Sequence, residues 1–182
     1  MSIASFEIEI KRKAILKALT QILDERALRA VLNSASHEAT KGIKPLVHTS
    51  IQKYFALESK PGKRASVEVF GNNTSATLKI TGWPLPLSYF KHSPTHSSRR
   101  GDPHVTAEVE KGSVKHLHPF AFVQEMPNNK RLQIFERDFT DRFPIFVHYG
   151  AAYPDMAMKT GIRKRIENAM LKQYEAELIK HL

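Results

Sequence analysis

The hydrophobic positions of this chain change period several times, and each change marks an element. FEIEI, Phe6 to Ile10, alternates apolar and acidic residues, the period of a short half-buried strand. Behind it Ala14, Ile15, Ala18, Leu19, Ile22 and Leu23 recur at spacings of three and four, which is one face of a short helix. Asp24 then reads as the N-cap of a second helix, because its carboxylate can take a backbone N–H that a helix start leaves unbonded. From Leu28 through Val31, Leu32, Ala35, Ala39, Ile43, Leu46, Val47, Ile51 and Tyr54 to Phe55 a single apolar stripe persists. Arg26, Arg29, Asn33, His37, Lys41, Lys44 and His48 fall opposite it. Gly42 and Pro45 interrupt the stripe, and proline lacks a backbone donor, so a kink or break is expected near Lys41 to Lys44. The register survives the interruption, so both halves should share one packing surface.

Period two returns after the SKPGKR loop, Ser59 to Arg64. SVEVF and ATLKI flank GNNTS and predict a β-hairpin, and WPLPL is extended because each proline biases its predecessor away from helix. Lys91 to Pro103 is rich in Ser, Pro, His and Arg and predicts a long exposed loop. VTAEVEKG predicts a strand stopping at Gly112, and AFVQEMPNNKRLQIFER predicts two strands joined at PNNK. RFPIFVHYG is a further extended segment. Tyr153-Pro154-Asp155 opens the last helix with Asp155 as its cap. Ile162, Ile166, Ala169, Met170, Tyr174 and Leu178 form its buried stripe, with Arg163, Lys164, Glu167, Lys172 and Glu175 facing out. The expected fold class is α+β in one domain over 1–182: N-terminal helices in 1–58, a small antiparallel sheet in 64–149 with an exposed loop at 91–103, and a C-terminal helix at 155–181.

Charge narrows the partners. The formal net charge is +10, which favours a polyanion or an acidic partner through encounter rate. The basic residues are nevertheless dispersed, in Lys11-Arg12-Lys13, Lys63-Arg64, Arg99-Arg100, Lys111 with Lys115, and Arg163-Lys164-Arg165. Phe135, Phe139, Phe143 and Phe146 read as strand and core positions, so the aromatic platform that stacks single-stranded bases is missing. Arg99, Arg100, Lys111 and Lys115 are the candidate contacts to a partner or to DNA phosphates. Cysteine is absent, which excludes disulfides and thiolate chemistry. No apolar run reaches the ~20 residues of a membrane span. Without a signal-like start, the expectation is a soluble chain in the cytosol where it is made, so the NNTS sequon at Asn72 to Ser75 goes unused.

Reactive clusters are sparse. His92 and His96 have Pro94 between them and share no helix face, whereas His116 and His118 could point to one side of a strand. His37-Glu38 begins like a zinc-peptidase helix, but Lys41 stands where the second ligand belongs. PGKR lacks the glycine and the Ser or Thr of a phosphate loop. Glu108, Glu110 and Lys111 give a faint version of a metal-dependent nuclease cluster, more simply read as the wet face of an edge strand. No catalytic, cofactor-binding or metal residue is therefore assigned, and no cofactor is expected.

The second half also carries a specific order of motifs. AEVEKG ends a strand in a Lys-Gly turn; PFAFV, a turn, and IFER follow; then FPIFVHYG and a Pro-led amphipathic helix from YPDMAM. From Trp83 to Leu182 this resembles the phage minor tail protein Z family, the tail-completion proteins of long-tailed bacteriophages and prophages. The resemblance implies a small antiparallel sheet flanked by helices. It also implies a homo-oligomeric ring, a hexamer by family likeness, at the head-proximal end of the tail. Such a ring joins tail to head, contacts adjacent tail or neck proteins, lies near packaged DNA, and is made in the bacterial cytoplasm before it enters the virion. Ala121, Phe122, Arg137, Pro144 and Ile145 would be motif positions with a structural role, and none would be catalytic. Lys91 to Pro103 has no place on the family pattern. Two rival expectations stand beside this one: a basic nucleic-acid-binding protein acting as monomer or dimer, and a metal-dependent nuclease using Glu108 and Glu110.

Overall fold

Asp24 starts the first long helix as its position suggests. Its Oδ1 accepts the Ala27 N–H at 2.7 Å, and α1 runs from Glu25 to Thr40. The computed structural model of the chain describes residues 19–71, 76–98, 104–128, 131–137 and 144–180. The FEIEI strand, most of the helix before Asp24, the turn at 72–75, and Arg99, Arg100, Phe139 and Phe143 lie outside the described residues.

Gly42 breaks the long stripe as expected. Its φ of +68° is a left-handed conformation that costs glycine little, and it separates α1 from α2, Ile43–Tyr54. Pro45 falls in the first turn of α2, where its missing N–H would have had no partner in any case. The apolar register does carry across, since Ala35, Ala39, Ile43, Val47 and Ile51 are all fully buried. Tyr54 departs from the stripe and is exposed.

The fold is α+β, with small antiparallel sheets and a long C-terminal helix. Contacts of the single domain expected over 1–182 cluster in two compact units. One holds the described residues of Ser2–Ser50, Ser66–Thr81 and Ala157–Leu182. In it the hairpin strands β1 (Ala65–Gly71) and β2 (Ala76–Gly82) pair, and β2 buries Ala76, Leu78 and Ile80 in strict alternation. The C-terminal helix of this unit packs along α1 and buries Ile162, Ile166, Met170, Tyr174 and Leu178, a straight line of side chains four residues apart. On α1 the facing positions are small: Ala35, Ser36 and Ala39 are fully buried, and Ser36 Oγ donates back to the Leu32 carbonyl at 2.8 Å.

The second unit holds Ile51–Ala65 and the described residues of Gly82–Met156, and it carries three small sheets. β3 (Pro84–Pro86) pairs with β10 (Tyr149–Ala152) alone, which suits a strand with two prolines that cannot donate to a second neighbour. β4 (Lys91–Ser93), β5 (Thr106–Glu108) and β6 (Val114–His116) form an antiparallel trio in that order. β7 (Ala121–Glu125), β8 (Leu132–Arg137) and β9 (Ile145–Val147) form another.

Three expectations change. The exposed loop of 91–103 begins with β4, and Ser98 is buried, because a three-residue strand leaves too few positions to show a period. The last helix is two: α3, Tyr153–Met158, and α4, Thr160–Ile179, parted by an extended Lys159 ahead of the poor helix formers Thr160 and Gly161. Asp155 therefore sits exposed in the first turn of α3 instead of capping α4. Phe146, expected in the core, is 54% exposed on β9.

Gly150 tests the packing of the sheet-bearing unit. A Cβ there would lie 2.7 Å from Cε2 of Phe90 and 3.3 Å from Cδ2 of Leu87, and Phe90 is fully buried with nowhere to move. Gly150→Ala is expected to lower unfolding free energy by about 1–3 kcal/mol, the usual cost of overpacking. Denaturant unfolding measures it, and an unchanged midpoint would mean that the Phe90 ring gives way.

Candidate functional site

The β7–β8–β9 sheet gathers four of the five motif residues. Phe122 lies opposite Phe135, Ala121 opposite Glu136, and Arg137 opposite Ile145. The Phe122 and Phe135 rings stack with centroids 5.7 Å apart, and the Arg137 guanidinium lies over the Phe122 ring at 5.0 Å. A cation held against an aromatic face gains about 0.5–1 kcal/mol when exposed and more when desolvated. Arg137 is half-buried, and its Nε is buried with no hydrogen-bond partner among the described residues. Pro144 stands just before β9 and is exposed.

The same sheet carries an ionic cluster that local sequence does not reveal. Glu136 lies between two histidines: His148 Nε2 donates to its Oε2 at 2.5 Å, and His118 Nδ1 lies 3.7 Å from its Oε1. The three come from β8 and from the segments beside β7 and β9, so only strand pairing brings them together. Among the described residues no group of three or more His, Cys, Asp or Glu could hold a metal ion. No helix of the described residues is long and apolar enough to cross a membrane.

The outer edge of β7 is covered from an unexpected direction. Ser98 Oγ accepts the Val123 N–H at 2.8 Å, the Ser98 N–H donates to the Val123 carbonyl at 2.8 Å, and Ser97 Oγ accepts the Glu125 N–H at 3.1 Å. Part of the segment read as a free loop thus closes a strand edge. Arg99 and Arg100 follow directly and lie outside the described residues.

Glu108 is buried at the end of the central strand β5, not on the wet face of an edge strand. Its Oε1 accepts the Gly112 N–H at 2.6 Å, and its Oε2 lies 3.1 Å from Lys91 Nζ. Gly112 has a φ of +82° with open space around it, so the tight β5–β6 turn rests on glycine's backbone freedom. Glu110 is exposed and takes part in a backbone bridge to Phe55, so the two carboxylates of the nuclease reading serve different places. Lys111 lies in that turn and Lys115 in the middle of β6, where every residue is exposed.

No family model, no curated protein and no solved structure matches the chain.

The Gly112 N–H first, and Lys91 after it, hold the Glu108 carboxyl below its ordinary value of 4.5. A carboxylate depressed in the folded state adds stability above its unfolded pKa and loses it as pH falls through the folded one. Glu108→Gln is therefore expected to melt below the parent chain at neutral pH, with the gap closing as pH falls under 4.5. Melting temperatures across pH check this; a gap that does not change with pH would remove the charge from the explanation.

Proposed function

We propose that this chain is a structural virion protein, a tail-completion or minor tail protein. It forms a homo-oligomeric ring, six copies by family likeness, at the head-proximal end of a phage tail and joins the tail to the head. The observation that carries this reading is the packing of Arg137 over Phe122. These two motif residues of the minor tail protein Z resemblance lie on different strands of one sheet, 5.0 Å apart. Ala121 and Ile145 stand in the same sheet. A structural role for the motif fits this placement, since the residues hold one another and leave no reactive group exposed.

A ring requires stiff faces that repeat around an axis, with a heterologous contact from each copy to the next. The stacked Phe122, Phe135 and Arg137 stiffen one such face, and the α1–α4 pair offers a second in its own unit. Basic charge suits neighbours that are acidic or that lie near packaged DNA. The same charge of +10 favours the rival reading, a nucleic-acid-binding monomer or dimer, whose DNA affinity would fall steeply with salt.

Arg137→Glu places a carboxylate against the Phe122 ring and is expected to reduce soluble yield and assembled fraction more than Arg99→Glu does. Particle sizing of both variants beside the parent chain checks it. Equal behaviour would remove Arg137 from the case for assembly.

A further inference from the structure

An open pocket of about 430 Å³ lies on the sheet-bearing unit, away from the motif sheet's stacked aromatics. Lys60, His92 and Arg131 line it, with hydroxyls from Ser59, Ser88 and Thr95, one acid, Glu58, and one apolar wall, Leu132. Two features make it more than a dent in the surface. Tyr89 is buried, and its Oη accepts from Arg131 Nη1 at 3.0 Å, which aims the guanidinium from a rigid base. His92 holds its Nδ1 against the Phe90 carbonyl oxygen at 2.8 Å, so that nitrogen carries the proton. Its Nε2 is left buried with no hydrogen-bond partner among the described residues. Buried polar atoms are normally satisfied, and one facing a polar pocket marks a place where a partner group belongs.

The rim is stiff for the same reason. The N–H groups of Glu58 and Ser59 both donate to the Tyr89 carbonyl, at 2.9 and 3.2 Å, so Lys60 projects from a fixed stretch of backbone. A guanidinium presents a planar fork of donors that matches a carboxylate, and Lys60 adds a point charge beside it. An imidazolium at His92 would add a donor at Nε2.

We propose that this pocket binds a carboxylate side chain from an acidic segment of a partner protein. Carboxylate is favoured over nucleic-acid phosphate by the shape of the site. It is a single pocket with one acid on its rim and an apolar wall, whereas a duplex needs a track of cations spaced along its backbone. The partner is an adjacent ring of the tail or neck, and that identity rests on the function proposed above. The pocket's chemistry does not.

Calorimetric titration of the full chain with a hexaglutamate peptide tests the proposal, with inorganic phosphate and a short DNA duplex as the other arms. The peptide is expected to bind, and Arg131→Gln and Lys60→Gln are each expected to weaken it about tenfold, the size of one charge-assisted hydrogen bond. Lys115→Gln, on β6 outside the pocket, should leave it unchanged. Lys60→Gln keeps the test decisive if Arg131→Gln fails to fold, since no printed contact of the core involves Lys60. Absence of peptide binding, equal loss in all three variants, phosphate binding as tightly as the peptide, or the duplex displacing it would each overturn the proposal. None of these outcomes bears on whether the chain forms a ring, which imaging of particles decides separately.

Discussion

The backbone that leaves α2 carries the hydrogen bonds on which the sheet-bearing unit depends. The Tyr54 carbonyl, at the helix end, accepts the Lys111 N–H at 3.0 Å. Ala56 then donates to Val109 at 3.0 Å and accepts from Lys91 at 2.8 Å, and Glu58 donates to Tyr89 at 2.9 Å. Within a few residues one strip of chain ties down β4, the end of β5 and the turn after β3. It also satisfies backbone groups that would each cost roughly 1–3 kcal/mol if buried unpaired. Phe55, Ala56 and Leu57 bury their side chains along the same strip, so hydrogen bonding and apolar burial fix it together.

Everything chemically suggestive in this unit is positioned from that strip. Lys91 leaves it aimed at Glu108, whose carboxylate closes the β5–β6 turn through Gly112. Tyr89, held by its carbonyl, supports Arg131 across the pocket. The charged residues that looked like separate surface features are therefore parts of one scaffold. Charge satisfied in this way resists rearrangement, and a protein that must repeat one geometry around a ring benefits from that stiffness.

How much of this was legible follows from distance along the chain. Asp24 and Gly42 announce a cap and a break through their own backbone and side-chain preferences, and the α4 stripe repeats often enough to be read directly. The hairpin of β7 and β8 was equally plain, because five consecutive pairs alternate on both strands. Strands of three residues, β4 and β6 among them, show no period at all. Glu108 looked like an exposed strand acid because its partner Lys91 lies seventeen positions away, across a stretch that reads as loop. Glu136 meets His118 and His148 only once three strands have paired, and Ser97 and Ser98 have no reason to be noticed until β7 has an edge to cover. The motif residues were found by order and spacing, yet the stack of Arg137 on Phe122 needed the register.

The most direct test is electron microscopy of phage particles from the host that makes this chain, with the chain carrying a visible label. Label in a ring at the head-proximal end of the tail is the expected result. Particles that assemble without the label, together with salt-dependent DNA binding by the purified chain, would contradict the structural role and favour the nucleic-acid-binding one.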